Sequence, residues 1–205
     1  MSAGPGDGNG APAMAAILLA AGLSRRMGGA NKLLAEIGGK PMVRRVAETL
    51  LDCGLALYVV VGHERGRVEA ALAGLAAKTV FNPDYREGQA SSMRAGVAAL
   101  GPRYRAVLIG LADQPWLEQS DIAALIAAYQ RSDGSRIVMP VFEERRGNPI
   151  IVPRAIVESI GDGPVNFGCR KFIDANPSRV LRYEAQNDHF TRDVDTPEAL
   201  AALAS

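Results

Sequence analysis

From Ala15 onward, short apolar runs alternate with amphipathic stretches, and that rhythm restricts the chain to βαβ units built on a mostly parallel sheet. The runs Ala16 to Ala20, Leu57 to Val61, Lys78 to Phe81 and Arg105 to Leu111 read as strands. Between them, Pro41 to Leu51 places Met42, Val43, Val46, Leu50 and Leu51 close to helical spacing, with Pro41 suited to a first helical turn. Glu64 to Leu75, Ser91 to Leu100 and Ser120 to Tyr129 are further helix candidates, the last with Ser120 or Asp121 near its cap. Arg136 to Met139, Val141 to Val152 and Val180 to Tyr183 supply later extended segments. Thr196 to Leu203 closes the chain as a helix capped by Thr196. The expectation is one three-layer α/β/α domain over residues 15–205, preceded by a disordered tail, Met1 to Met14.

A length of 205 residues suits one domain with a core that needs no staples. A net charge of +1 argues against a generic nucleic-acid or anionic-membrane binder. Two cysteines, Cys53 and Cys169, and two histidines, His63 and His189, are too few and too scattered for a zinc motif or a disulfide framework, which favours a reducing, cytoplasmic setting. No apolar run approaches the roughly 20 residues of a membrane span. The first fourteen residues carry no Lys or Arg and so lack the basic start of a secretory signal.

Ligands of open α/β sheets bind beyond the carboxyl ends of the strands, so the strand-to-helix junctions are where chemistry is expected. The first junction runs Leu19-Ala20-Ala21-Gly22-Leu23-Ser24-Arg25-Arg26-Met27-Gly28-Gly29-Ala30-Asn31-Lys32. Its glycines let backbone N–H groups approach an oxyanion, and its cations neutralise phosphate oxygens, so it reads as a polyphosphate cradle. A glycine-rich surface loop with solvated arginines is the plainer alternative. Gly29 is followed by Ala30 and Lys32 by Leu33, which breaks the Walker pattern; G-x-G-x-x-G and the nucleophile elbow fail as well. At the second junction Asp113 ends the apolar run Val107 to Leu111, well placed for Mg²⁺ or, equally, for capping the turn at Pro115. In Asp193-Val194-Asp195 the two carboxylates of an extended stretch face opposite sides, so only one shares a pocket with Asp113 easily.

Together, Leu19-Ala20-Ala21-Gly22-x-Ser24-x-Arg26-Met27-Gly28 followed by Lys32, then Leu111-Ala112-Asp113-Gln114-Pro115, Gly147-Asn148-Pro149 and Asp193-Val194-Asp195-Thr196-Pro197-Glu198 resemble the molybdenum cofactor nucleotidyltransferases. The resemblance implies a Rossmann-like nucleotidyltransferase domain. Ala20-Ala21-Gly22 resembles the cytidylyltransferase branch, where the guanylyl branch carries Gly-Gly. Implied, then, are CTP and molybdopterin as substrates, a molybdenum hydroxylase receiving the product, and Mg²⁺ as cofactor with Mn²⁺ as a substitute. Arg26 and Lys32 become catalytic phosphate ligands, with Arg25 at a position the motif leaves variable. Asp113 becomes the chief metal ligand and catalytic carboxylate, with Asp195 or Asp193 second. The backbone of Leu19, Ala20, Ala21 and Gly22, with Ser24, Gly28, Asn82 and Ser91, would complete the nucleotide site.

Ser91 or Ser92 also suits a helix cap, and Glu143 to Pro149 resembles the hairpin that approaches the pterin, its charges equally suiting a solvated hairpin tip. Gly161-Asp162 followed by Gly168-Cys169-Arg170 resembles a family pattern with a widened gap, while Cys169 reads as a buried apolar residue and His63 as structural. Three alternatives stand beside the cytidylyl reading: a guanylyltransferase of the same cofactor, a transferase to another small phosphate, and a non-catalytic pterin-binding protein. A nicotinamide-dependent oxidoreductase ranks last because of the failed glycine spacing.

Overall fold

The computed structural model describes residues 14–24, 31–161, 168–196 and 199–200. Its central strand, β1 (Met14–Ala20), is almost wholly buried because it is flanked on both edges, by β4 (Ala56–Val61) and β6 (Ala106–Leu111), in parallel register. Strands covered on both faces require continuous apolar sequence, which is what these three runs supply. β5 (Ala77–Phe81) pairs with β4 at one edge. On the other side come β9 (Ile150–Pro153), antiparallel to β6, then β7 (Ile137–Phe142), then β10 (Val180–Glu184) parallel to β7. The order is β10-β7-β9-β6-β1-β4-β5, with β8 (Arg145–Arg146) hairpinned onto β7 and a small separate pair, β2 (Glu36–Ile37) and β3 (Lys40–Pro41).

Alternate residues of β1 feed opposite faces. Ala16, Leu18 and Ala20 pack with α1 (Met42–Asp52), α2 (Arg65–Ala71) and α4 (Gln119–Gln130) through Val46, Leu50, Val68, Ile122 and Leu125. Ala15 and Ile17 pack with α3 (Gln89–Ala98), α5 (Arg154–Gly161) and α6 (Cys169–Ala175) through Met93, Ile156, Val157, Ile160 and Phe172. The result is the expected three-layer α/β domain with a mostly parallel sheet. Among the described residues, no helix is long and apolar enough to cross a membrane.

Several expectations are corrected. Met14, counted with the tail, begins β1. Pro41 is the N-cap of α1 and closes the β2–β3 hairpin, so the helix starts one residue later. Helix α2 stops at Ala71, where Leu72 ends its hydrogen bonding and Gly74 turns the chain at positive φ. At α4 the cap is Glu118; Asp121 lies three residues in and accepts the Glu118 N–H at 2.9 Å. The extended stretch expected from Val141 to Val152 turns back at the hairpin expected over its charged centre, because Glu143 and Glu144 adopt left-handed conformations that reverse the chain. Helices α5 and α6 were not anticipated, although Ile156, Val157 and Ile160 carry helical spacing. Only part of the expected Thr196 to Leu203 helix is described: the Ala199 N–H donates to Thr196 Oγ1 at 3.2 Å and the Leu200 N–H to Thr196 O at 3.1 Å, a capped helix start.

Helix α3 approaches the sheet closely at Gly96, where an added Cβ would lie 2.7 Å from Ile17 Cγ2 and 3.0 Å from Val60 Cγ2. Alanine gains up to about 1 kcal/mol of helix propensity there, but overpacking against two β-branched core residues costs about 1–3 kcal/mol. Gly96→Ala is therefore expected to destabilise the fold by roughly 1 kcal/mol on balance. Urea unfolding checks this, and an unchanged midpoint would contradict the close approach.

Candidate active site

At the carboxyl end of β1 the chain passes through Ala21, whose carbonyl accepts the His63 N–H at 3.3 Å, into the loop that begins at Gly22. Ser24 stands at φ +48 and its Oγ accepts the Lys32 N–H at 3.2 Å, so the described start and end of the loop are joined at its neck. Asn31 then caps a 3₁₀ turn, Lys32–Leu34, by accepting the Leu33 N–H at 3.1 Å. These contacts fix the origin of the Lys32 side chain. Its Nζ donates to Asp113 Oδ2 at 2.7 Å and to Asp195 Oδ1 at 2.8 Å. Burial works against the charged ammonium, but the Asp113 and Asp195 carboxylates outweigh it and hold Lys32 above its ordinary pKa.

The second carboxylate is brought in by the backbone. The Val194 N–H donates to Asp113 O at 2.9 Å, and Gln114 Nε2 donates to Phe190 O at 3.0 Å. Phe190 O also accepts the Asn148 N–H at 2.8 Å. Gly147 is required beside it, since a Cβ there would lie 2.6 Å from that carbonyl oxygen. Farther back, buried Asp121 accepts from Asn187 Nδ2 at 2.9 Å and lies 2.8 Å from His189 Nδ1, anchoring the same segment to α4. Sequence reasoning missed this tie, because residues so distant in the chain carry no shared spacing signal. Asp113 Oδ1 is buried and accepts no hydrogen bond among the described residues.

A cleft of about 490 Å³ opens here, lined by Leu19, Ala21, Gly22, Leu23, Ser24, Lys32, Asp113 and Asp195 on one side and by Tyr85 to Gln89 with Ser92 on the other. Asn82 and Ser91, expected beside the nucleotide, stand behind its wall. Buried Asn82 donates to Ser91 Oγ at 2.9 Å and Ser92 Oγ at 3.0 Å, and of the three only Ser92 lines the cleft. Ala20 is likewise buried behind the surface. The wall of Tyr85, Arg86 and Glu87 went unnoticed in the sequence, although the turn Asn82-Pro83-Asp84 and Gly88 at φ +106 mark it. Arg25, Arg26 and Gly28 lie outside the described residues, as does Asp162. His63 does not line the cleft.

A second cleft, of about 830 Å³, shares Leu19, Gln89 and Leu111 with the first. Its floor is apolar, including Met93, Ile109, Met139, Ile150 and Ile173. On the rim, Arg145 Nη2 donates to Thr191 O at 3.0 Å, Arg146 pairs with Asp174 and Glu144 with Arg182. Arg170 and Lys171 also line it. Cys169 Sγ lies 3.2 Å from Met93 Sδ, and burial pushes the thiol up to about 12, so it stays protonated.

Residues 16–180 match the model of the MobA-like NTP transferase domain. A protein named nicotine blue oxidoreductase from Paenarthrobacter nicotinovorans is 31% identical over 94% of this chain and 97% of its own length. A probable molybdenum cofactor guanylyltransferase from Natronomonas pharaonis is 27% identical over 90% of this chain and 93% of its own. Among solved structures, a nucleotidyl transferase from Methanothermobacter thermautotroptrophicus superposes with a TM-score of 0.80 at 21% identity, over 93% of this chain and 95% of that one, a likeness of fold.

Asp193 is not part of the cleft lining, and its residue is exposed. Even so, the protein packed around its carboxyl, and then the charges of Asp195 and Asp113, hold it above the ordinary aspartate range. A carboxyl raised in the folded state favours folding while protonated and loses that contribution as pH rises through its folded value. Asp193→Asn is therefore expected to gain thermal stability relative to the parent as pH moves from acid to neutral. Melting curves across that range test this, and a pH-independent difference would contradict it.

Proposed function

The chain belongs to the MobA-like NTP transferase family, and from that premise we propose that it transfers CMP from CTP to the terminal phosphate of molybdopterin, forming a cytosine dinucleotide and releasing pyrophosphate. The observation that carries this reading is the Lys32 ammonium held between Asp113 and Asp195 at the carboxyl end of the sheet, in a cleft continuous with a second, larger one. The choice of CTP rests on Ala20-Ala21-Gly22 and its likeness to the cytidylyl branch.

In this reaction an acceptor phosphate oxygen bonds to the α-phosphorus of CTP while the bond to the β-phosphate bridging oxygen breaks, and pyrophosphate departs. The attacking oxygen is already anionic, so no general base is needed. Positioning and countercharge do the rest. Lys32 supplies charge to the departing phosphates, and Arg25 and Arg26 stand in the same sequence motif. Ser92 with Leu19, Ala21 and Gly22, which line the cleft, would border the nucleotide. Cations Arg170 and Lys171 on the second rim suit an anionic acceptor, and the apolar floor suits a planar ring.

A hard divalent cation fits the donor set, because Asp113 Oδ1 is a buried carboxylate oxygen with no hydrogen-bond donor among the described residues, and Asp195 is its neighbour across Lys32. Asp113 and Asp195 would hold Mg²⁺, with Mn²⁺ as a substitute; Asp193 lies off the cleft. When bound, the ion supplies Lewis-acid countercharge to phosphate oxygens. The cytoplasm is the proposed setting, with a molybdenum hydroxylase as the recipient of the product.

A second reading is oxidoreduction, favoured by the 31% identity to a relative carrying an oxidoreductase name. Pyrophosphate release separates the two. CTP with Mg²⁺ and molybdopterin is expected to yield pyrophosphate, whereas oxidation of a reduced nicotinamide dinucleotide without pyrophosphate release would overturn the transferase reading. Release with GTP alone, or with a sugar phosphate as acceptor, would correct nucleotide or acceptor.

Two substitutions follow. Asp113→Asn is expected to lower kcat by at least about a hundredfold with the fold intact by circular dichroism, a loss comparable to removing one stabilising group from an active site. Lys32→Ala should weaken CTP binding more than CMP binding in calorimetry; equal losses would place Lys32 away from the β- and γ-phosphates.

A further inference from the structure

The ammonium of Lys32 stands between the two carboxylates assigned above to a divalent cation, 2.7 Å from one and 2.8 Å from the other. Two carboxylates brought this close repel each other unless a cation lies between them. In this structure Lys32 is that cation, and its side chain is only 13% exposed. We propose that Lys32 is a specificity residue that closes the Asp113–Asp195 site to free divalent cations and yields it only when a nucleoside triphosphate draws the ammonium onto its phosphates. The inference rests on the nucleotidyltransferase reading of the cleft.

Three features support it. Mg²⁺ gives up its water reluctantly and is ordinarily held by one or two carboxylates together with substrate phosphates, so a bare ion has little with which to displace a partly buried, doubly paired ammonium. Lysine carries a compact charge on a flexible four-carbon stem, so its ammonium can change partners while the backbone stays fixed. That backbone is fixed here: the Lys32 N–H is held by Ser24 Oγ, and the 3₁₀ turn by Asn31. The exchange also keeps charge in balance, since the carboxylates pass from one cation to another without being left facing each other. Triphosphate and metal then favour each other's binding through Lys32, and free metal and free nucleotide are each held poorly.

The test is titration of the nucleotide-free protein with Mn²⁺ alone, following free Mn²⁺ by electron paramagnetic resonance, for the parent, Lys32→Met, Lys32→Gln and Lys32→Arg. Both neutral variants are expected to bind Mn²⁺ on the order of tenfold more tightly than the parent, and Lys32→Arg to bind it as poorly as the parent. Lys32→Gln serves if Lys32→Met does not fold, and adding Asp195→Asn to either is expected to abolish the gain. Equal affinity of parent and neutral variants for Mn²⁺ would overturn the block while leaving the cation site standing, whereas a gain that survives Asp195→Asn would overturn both the block and the part of Asp195 in the site. A parallel titration of the parent in the presence of CTP separates the two levels. Protein-bound Mn²⁺ with CTP but none in the neutral variants alone overturns the block only, and none under any condition overturns the nucleotidyltransferase reading beneath it.

Discussion

The contact on which the rest of the site depends is the salt bridge from one lysine to two aspartates far apart in the chain. Lys32 meets Asp113 across 81 residues and Asp195 across 163, so the segment after β1, the end of β6 and the segment after β10 converge on one ammonium. Removing one member of such a partly buried set leaves an uncompensated charge, at a cost of about 3–5 kcal/mol in fully buried cases and less here, where solvent reaches the edge. The remaining machinery is geometric: Val194 and Gln114 hold the third segment to the second, and the Phe190 carbonyl passes that register to Asn148 in the hairpin of the second cleft.

Much of the fold was legible in the sequence because its central strands are buried on both faces. β1, β4 and β6 need unbroken apolar runs, and Ala16 to Ala20, Leu57 to Val61 and Arg105 to Leu111 provide them. Legibility fell where local pattern and tertiary contact part. The stretch Val141 to Val152 reads as extended about a charged hairpin, yet only the two left-handed glutamates show where the chain folds back, with β9 antiparallel to β6. Helix α6 is seven residues long with two buried side chains, too short to announce itself by periodicity.

The same division runs through the site. Alternation along Asp193-Val194-Asp195 implied that one carboxylate faces the pocket, and the structure puts Asp195 against Lys32 with Asp193 off the cleft. Asn82 and Ser91 were drawn to the nucleotide by motif, whereas their hydrogen bonds are spent on the wall that presents Ser92. Motif resemblance identifies which segments border the ligand more readily than which atoms face it. Family membership likewise fixes the scaffold more firmly than the reaction, since relatives of similar length are named for guanylyl transfer and for oxidoreduction.

The function proposed for this cleft is to take a metal-bound nucleoside triphosphate, CTP in particular. The most direct measurement is the thermal shift of the protein with CTP, GTP, ATP and UTP, each with and without Mg²⁺, because a ligand that binds the native state alone raises stability by RT ln(1 + [L]/Kd). The account predicts the largest shift with CTP, dependent on Mg²⁺. Equal shifts from all four nucleotides, or none from any of them beside a clear shift from a reduced nicotinamide dinucleotide, would contradict it.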